Sequence, residues 1–206
     1  LEQKTLQQAS AITIVSEPLA KTLEDFLNKG VSVITNGFDQ EDYSFPIEQS
    51  KVFSIVYTGK FHKIKQDPSP LFEAISCLLR EGGILKEKIE LHFWGTDPRT
   101  LPLENLSQDV IDVTTFHPKV PINRSIAEQK KATILLYANW NNCSEKGVYS
   151  GKIFEYLGAR RPILSIFRNP DSVVDKLLEE TKAGVTLSSS EEIQKALKEW
   201  YDSFYS

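Results

Sequence analysis

Apolar segments of strand length alternate with amphipathic segments of helical length along most of this chain. Several of the apolar segments, such as Val52–Val56 and Ile134–Leu136, carry apolar side chains at nearly every position. A strand that is apolar on both faces is typical of a parallel sheet covered by helices on each side. The strands that the pattern predicts are Ala11–Val15, Val31–Thr35, Val52–Thr58, Ile89–Trp94, Val110–Phe116, Ala132–Tyr137, Pro162–Phe167 and Gly184–Leu187.

Helical periodicity fills most of the intervals between these strands. The clearest helix is predicted to begin with Asp67 as its N-cap and Pro68 at its first position, and to end at Gly82. Its apolar side chains recur on one side, as they do in a helix that packs against a sheet. The other predicted helices are Pro18–Asn28, Pro121–Lys131, Gly151–Ala159, Pro170–Glu180 and Ser190–Phe204.

The last of these helices carries an apolar stripe at helical spacing. The spacing favours a place in the core, or in contact with a missing domain, over a cofactor site. The members of the stripe are Leu197, Trp200, Tyr201, Phe204 and Tyr205.

The alternation of strands and helices predicts an α/β fold, a Rossmann-like three-layer α/β/α arrangement around a mainly parallel sheet. One domain is expected over residues 11–206, after an N-terminal lead-in formed by residues 1–10. The sequence contains no methionine, even at its first position. We therefore expect the chain to be a piece of a longer polypeptide, from which a preceding domain is missing.

Composition narrows the class of function. Of the 206 residues, 40% are hydrophobic and 25% are charged, and the net charge is −4 with a pI near 5.5. This acidic balance argues against a dedicated nucleic-acid binder, which would need a basic surface. The apolar runs are too short to span a membrane. Cys77 lies in an apolar helical pattern and Cys143 in a polar loop, which indicates reduced thiols and a cytoplasmic location.

Four loops at the predicted carboxyl ends of strands carry most of the candidate chemistry, because ligands of open α/β sheets bind at this edge. Each lysine in them, taken alone, is better explained as part of a solvated, charged loop, but together they predict a cleft with basic side chains on one wall. The two histidines have no nucleophile or metal ligand at a recognisable spacing, and we interpret them as loop residues. The loops are 59–67 with Lys60, His62, Lys63 and Lys65, Gly95–Asp97, His117–Val120 and Ala138–Ser150.

The segment Ser150–Leu157 is the most informative part of the chain, because it predicts a loop that leads into a helix. Gly151 and Lys152 at a helix start would offer free backbone N–H groups, the positive end of the helix dipole and a cation, all suited to a phosphate. Glu155 returns to the same helix face, where its carboxylate could accept hydrogen bonds from two neighbouring sugar hydroxyls. A turn glycine and an exposed Lys152–Glu155 ion pair explain the same residues. The residues alone leave both interpretations open.

The order of these motifs resembles the C-terminal half of the retaining glycosyltransferases of the GT-B type, in the group-one, family-four class, over nearly the whole chain. The segment Asn36–Asp39 resembles the family's Asn-Gly-hydrophobic-Asp turn, which is a fairly specific signal. The other segments that carry the resemblance are Ile14–Ala20 for the entry to the domain, Val56–Lys60 for the first loop, Lys65 and Gln66 for the second basic position, Leu91–Gly95 for the next strand, Phe116–Val120 for the base-binding loop and Lys152–Pro162 for the helix with the ribose-binding carboxylate.

The resemblance implies that the chain is one half of a GT-B architecture and binds a nucleoside-diphosphate sugar, with a UDP sugar favoured and a GDP sugar as the alternative. It also implies that Lys60 and Lys65 neutralise the donor diphosphate and stabilise it as the leaving group, so that no metal or other cofactor is obligatory. The residues implied for the remaining contacts are Gly59, Gly151 and Lys152 for the phosphates, Glu155 for the ribose, and the backbone of Lys119 and Val120 for the base.

A few positions depart from the family's pattern. Gly147 stands where the family often carries a glutamate, eight positions before the ribose-binding one, and Glu145 is close to that place but out of register. Lys60 replaces the usual arginine, and Gln66 replaces the glycine expected after the second basic residue. Either Glu145 reaches the donor sugar from a differently shaped loop, or other groups bind the sugar.

Two functions from different classes follow. The first is the donor-binding domain of a glycosyltransferase that moves a sugar, with retention, to a glycan or lipid-linked acceptor in polysaccharide or surface-glycan synthesis. Contact with the acceptor, and any contact with the inner face of the membrane, would then belong to the missing half, and the fragment alone would be inactive. The second is a non-catalytic nucleotide-sugar-binding module, which the departure at Gly147 favours. An NAD-dependent oxidoreductase is disfavoured because no G-x-G-x-x-G follows an early strand.

Overall fold

The computed structural model describes residues 2–142 and 144–206. Helices and strands alternate through most of these ranges, as the sequence pattern predicts. The helices are α1 (Glu2–Gln8), α2 (Glu17–Leu27), α3 (Ser69–Arg80), α4 (Gln108–Asp112), α5 (Ile122–Lys131), α6 (Gly151–Ala159), α7 (Val173–Thr181) and α8 (Ser190–Tyr205), and the strands are β1 (Thr13–Ile14), β2 (Ser32–Val33), β3 (Phe53–Thr58), β4 (Ile89–Trp94), β5 (Thr114–His117), β6 (Ile134–Ala138), β7 (Ile163–Ile166) and β8 (Gly184–Leu187).

Six of these strands form one parallel sheet in the order β5-β4-β3-β6-β7-β8. Helices cover both faces, which confirms the predicted Rossmann-like α/β/α fold. The central strands β3 and β6 are buried at every position, in agreement with their largely apolar sequences. The chain builds the sheet outward from β3 in one direction and from β6 in the other. Their junction is therefore the topological switch point, the place where open α/β sheets bind ligands.

Two apolar clusters form the core. One packs β3 and β4 against α3 and α8, and the other packs β6 and β7 against α6 and α7. Successive side chains of β3 divide between them, because Ile55 belongs to the first cluster and Val56 to the second. The apolar stripe of α8 lies in the first cluster, where Leu197 and Tyr201 are buried. Its interpretation as a core element is confirmed.

The first two predicted strands are shorter than expected and lie apart from the main sheet. β1 and β2 have two residues each and pair in parallel as a separate ribbon. The side chains of Thr13 and Ser32 are exposed, so this ribbon presents only one apolar face to the rest of the protein.

The predicted strand over Val110–Phe116 is wrong in its first half, which belongs to the helix α4. The N–H groups of Val110 and Ile111 both bond to the carbonyl oxygen of Ser107 and start a helical turn. This turn buries Val110 completely in the core. The apolar side chain that suggested a strand is therefore buried by a helix instead.

Three predicted helix starts shift toward the C-terminus, and that of α5 moves by one residue, from Pro121 to Ile122. α7 begins at Val173 because Asp171 has φ +67°, outside the helical region, and because the hydroxyl of Ser172 caps the helix by accepting a hydrogen bond from the N–H of Asp175. α3 begins at Ser69, whose N–H donates to the Asp67 carboxylate at 2.9 Å.

The predicted lead-in contains the helix α1, which contacts the segment after α2 through the Lys29 ammonium and the Gln7 carbonyl oxygen, 3.3 Å apart. The boundary between residues 1–10 and 11–206 stays a prediction. Cys77 is a free, partly buried thiol on α3, and Cys143 lies outside the described residues. Within those residues, no helix combines the length and the hydropathy needed to cross a membrane.

Candidate functional site

A cleft opens at the carboxyl edge of the sheet, where β3 and β4 end and α6 begins. It encloses a cavity of about 570 Å³ and contains seven of the nine site residues that the sequence predicts. These seven are Gly59, Lys60, Lys119, Val120, Gly151, Lys152 and Glu155, and the other lining residues are Thr58, His62, Trp94, Gly95, Ile122, Ser125 and Ser150.

Gly59 forms the sharp turn by which the chain leaves β3. Its φ of +113° is one that L side chains rarely adopt, and a Cβ atom there would lie 3.1 Å from both Cε and Nζ of Lys152. The N–H of Gly59 donates to the carbonyl oxygen of Trp94 at 2.7 Å, and its own carbonyl oxygen accepts from the Thr96 hydroxyl at 2.7 Å. The absence of a side chain at this position therefore leaves room for the Lys152 ammonium.

Lys152 extends from the first turn of α6 into the floor of the cleft. Its Nζ lies 3.8 Å from the centroid of the Tyr57 ring, an arrangement suited to a cation–π interaction. Burial lowers the pKa of this ammonium to about 7, although the nearby Glu155 carboxylate acts in the opposite direction. Lys152 is therefore a cation that can gain or lose its proton near neutral pH.

Glu155 is held by a buried glutamine that the sequence analysis missed. Oε2 of Glu155 accepts a hydrogen bond from Nε2 of Gln129 at 2.9 Å, and the same amide group lies 3.0 Å from the Thr58 hydroxyl. Gln129 is fully buried on α5, and a polar residue on an apolar helix face was the signal that could have identified it. Across the described ranges Glu155 and Lys152 form no ion pair, so the surface-pair interpretation of this motif does not hold.

The start of α6 faces the cleft without a side-chain cap. Ser150 is the N-cap residue, but its hydroxyl bonds to the Tyr137 hydroxyl at 3.2 Å and not to the helix. Gly151, the first helical residue, has open space around its Cα, where a Cβ would meet no atom within 4 Å. The first N–H groups of the helix are thus available to an anion, which the helix dipole would also attract.

Trp94 lines the cleft at the end of β4, and the ring of His117, at the end of β5, packs against it. Their rings are stacked, with centroids 3.8 Å apart and an interplanar angle of 9°. Nε2 of His117 lies 3.1 Å from Nδ1 of His92, whose Nε2 lies 3.1 Å from Oε2 of Glu90. Burial, followed by the charge of His92, lowers the pKa of His117. The interpretation of His117 as a loop residue was wrong, because it is the last residue of β5; His62 does lie in a loop.

Lys65 and Glu145 lie outside this cavity and contact each other. Their charged atoms are 3.5 Å apart, and the Lys65 ammonium also lies 3.6 Å from the centroid of the Trp140 ring. The N–H of Asn141 donates to the Lys65 carbonyl oxygen at 2.8 Å, which joins the loop after β3 to the loop after β6. The structure therefore does not bring Lys65 into the same cavity as Lys60.

Gly147 is packed against the start of α2. The hydroxyl of Ser16 donates to its carbonyl oxygen at 2.6 Å, and a Cβ atom there would lie 2.8 Å from Cγ of Leu19. A glutamate at this position would have no space in the present packing.

In the part of the chain that the structure describes, no three His, Cys, Asp or Glu side chains are arranged to hold a metal ion.

Comparison with known proteins identifies the fold but not the family. No family model matches the sequence, and no curated protein matches it at a significant level. Solved structures do match. WaaG, described as a glycosyltransferase involved in lipopolysaccharide biosynthesis, has a TM-score of 0.69 and 13% identity, over 92% of this chain and 53% of its own.

Two further structures are similar in fold. Sucrose-phosphate synthase from Thermosynechococcus elongatus has a TM-score of 0.62 and 16% identity, over 98% of this chain and 53% of its own. The pneumococcal O-GlcNAc transferase GtfA, in complex with UDP and GlcNAc, has a TM-score of 0.60 and 12% identity, over 99% of this chain and 40% of its own. This chain thus spans about half the length of these proteins, or less.

Proposed function

We propose that this chain is the donor-binding domain of a retaining GT-B glycosyltransferase, a C-terminal domain of the group-one, family-four class. The observation that carries the proposal is the cleft at the carboxyl ends of β3 and β4 and the start of α6, where seven of the nine residues predicted from the sequence line one cavity. The similar folds of a described glycosyltransferase and of an O-GlcNAc transferase support it.

The chemistry of the cleft suits a nucleoside diphosphate. Lys60 and Lys119 bring two cations, and Lys152 a third when it is protonated, to the end where α6 presents uncapped N–H groups. When a sugar leaves, the bond to the diphosphate breaks and the nucleoside diphosphate departs with additional negative charge. Fixed cations and helix N–H groups stabilise that charge most in the transition state. No metal is required for this step.

The ribose and the base would occupy the two other walls. Oε2 of Glu155 is oriented by Gln129, while Oε1 accepts no hydrogen bond in the described ranges and can accept one from a ribose hydroxyl. The backbone of Lys119 and Val120 lies beside Trp94 and can bind the edge of the base. We favour a UDP sugar over a GDP sugar, because the structures of TarM from S. aureus and of GtfA were both determined with UDP.

In this proposal Glu145 and Lys65 contact the donor only after their contact with each other has broken. Their contact lies outside the cavity of the free protein, so the pair must separate before Lys65 reaches a phosphate or Glu145 reaches the donor sugar. Both side chains keep solvent exposure, 45% and 30%, and their attraction is therefore screened and weak enough to be broken by an incoming anion.

The acceptor, a glycan or lipid-linked molecule, would bind to a second domain. The parent enzyme would work in the cytoplasm, with any membrane contact at the inner face and through that other domain. A non-catalytic nucleotide-sugar-binding module is the second candidate, and the lack of space for a glutamate at Gly147 favours it. Turnover by the full-length parent distinguishes the two.

Calorimetric titration with UDP, GDP, ADP and CMP tests the proposal. We expect one diphosphate to bind preferentially, and Lys60→Ala and Glu155→Gln to weaken it by about tenfold or more. Lys63→Ala is the matched control, since Lys63 is an exposed lysine of the same loop outside the cavity. If Lys60→Ala and Lys63→Ala lowered the nucleotide affinity equally, the positive charge of the loop as a whole, and not this cleft, would govern binding.

A further inference from the structure

A second cavity of about 570 Å³ lies at the amino edge of the sheet, opposite the donor cleft. It is bounded by the ends of α6 and α7, by the first residues of β7 and β8, and by α8. The amino and carboxyl ends of parallel strands lie at opposite edges of the sheet. The length of the strands therefore separates the two cavities. We call it the basic cavity, and the residues that matter in it are Arg160, Arg161, Pro162, Lys182, Val185 and Trp200.

The basic cavity concentrates positive charge in a protein whose net charge is −4. Arg160, Arg161 and Lys182 line it, and within the described part of the chain no carboxylate does. None of these three side chains forms an ion pair or a hydrogen bond with any other residue in 2–142 or 144–206. The cavity therefore has an unbalanced positive potential that favours an anion.

Arg161 gives the clearest sign that a partner is missing. Its Nε is buried and has no hydrogen-bond acceptor among the residues that the structure describes, and burial lowers the pKa of the guanidinium. A buried donor without an acceptor is unfavourable, and such groups are uncommon in folded proteins. An anion in the cavity would supply the missing acceptor.

Helix capping does not account for these cations. Arg160 and Lys182 follow the last turns of α6 and α7, where cations interact favourably with the helix dipole. A capping role would place their side chains against the terminal carbonyl oxygens. No hydrogen bond of that kind is present among the described residues.

We propose that the basic cavity binds a small molecule that carries both a phosphate group and a ring. Arginine presents N–H donors in a planar fork that matches the oxygens of a phosphate. Trp200, Pro162 and Val185 supply an apolar wall against which a ring can lie. The volume falls within the range of small-molecule sites. This proposal is independent of the one made for the donor cleft.

Titration calorimetry with phenyl phosphate tests the proposal, with phenol as the uncharged probe. We expect phenyl phosphate to bind and phenol not to bind. Lys182→Gln and Arg161→Gln should each lower the affinity for phenyl phosphate by about tenfold or more. Lys182 is exposed, so its substitution should leave the fold intact even if that of Arg161 does not. Lys176→Gln is the matched control, because it removes the same charge from an exposed position of α7 outside the cavity.

Several results would overturn the proposal. One is the absence of binding at millimolar phenyl phosphate. Another is an equal affinity for phenyl phosphate in the unsubstituted chain and in Lys182→Gln. If Glu155→Gln, and not Lys182→Gln, lowered the affinity for phenyl phosphate, the ligand would belong to the donor cleft. Binding to phosphatidic-acid vesicles, without binding of phenyl phosphate, would replace the small molecule with a membrane. The affinity for UDP should be the same in Lys182→Gln as in the unsubstituted chain. This comparison separates the test of the basic cavity from the test of the donor site.

Discussion

Among single residues, we expect Lys152 to determine how the proposed donor cleft responds to pH. Its pKa of about 7 in the free protein means that the ammonium loses its proton as the pH rises through neutrality. A bound diphosphate stabilises the charged form and raises that pKa. Donor binding therefore takes up a proton above about pH 7, and the affinity falls as the pH rises further.

The expected slope is at most about tenfold in affinity per pH unit above pH 7, since one proton is involved. Titration with UDP-glucose is the appropriate measurement, because a diphosphate diester has no group that titrates in this range. Lys152→Met should weaken binding and flatten the profile, whereas Lys60→Ala should weaken it and keep the slope. His62 lines the same cavity. If His62→Asn flattened the profile and Lys152→Met did not, the assignment to Lys152 would be wrong.

Gly59 provides a second prediction at the residue scale. Gly59→Ala places a Cβ 3.1 Å from the Lys152 ammonium and at a φ of +113°. We expect a loss of about 1–3 kcal/mol in the free energy of unfolding, together with weaker UDP binding because Lys152 is displaced. Gly82→Ala is the control, since its φ is +69° but no atom lies within 4 Å of the added Cβ. Thermal unfolding and calorimetry should show a stability loss in both variants and a binding loss only in Gly59→Ala.

At the scale of elements, the contact between α2 and the loop before α6 limits how the cleft can be built. Gly147→Ala would bring a Cβ to 2.8 Å from Leu19 and 3.0 Å from the Ser16 hydroxyl. We expect it to lower the free energy of unfolding by about 1–3 kcal/mol, the usual cost of overpacking. Gly30→Ala, where no atom lies within 4 Å, is the control and should be nearly neutral. Chemical denaturation measures both, and similar values for the two would show that this contact is loose.

The sequence predicted most of the main sheet, because strands buried on both faces must be apolar throughout. It predicted the Val110 region wrongly, since one buried residue in a short helix looks the same as one in a strand. The glycines and charged residues around the cleft were recognisable from their places after strands. The separation of Lys65 from Lys60 was not, because it depends on the partners Glu145 and Trp140, which lie in a loop distant in sequence.

At the scale of the whole molecule, the described fold matches about half or less of the larger proteins to which it is similar. Under our proposal this part carries the donor site and lacks the acceptor site. The purified chain should therefore bind a donor nucleotide but transfer no sugar to an added acceptor. A radiolabelled UDP-sugar assay measures this, with the full-length parent as the positive control. Sugar transfer by this chain alone would show that it already contains a complete active site.

The strand order also determines when the donor cleft can form during synthesis. β3 pairs with β6 through Ile55 and Ile134, which are far apart in sequence, and β6 emerges from the ribosome only after β4 and β5. Until then one edge of β3, the strand that is buried at all its positions in the final fold, has no neighbour. A nascent chain truncated after Lys131 should accordingly be prone to self-association, which light scattering can measure. The same strand order that places the cleft near the centre of the sheet leaves the newly made polypeptide with an unpaired edge on β3 until β6 arrives.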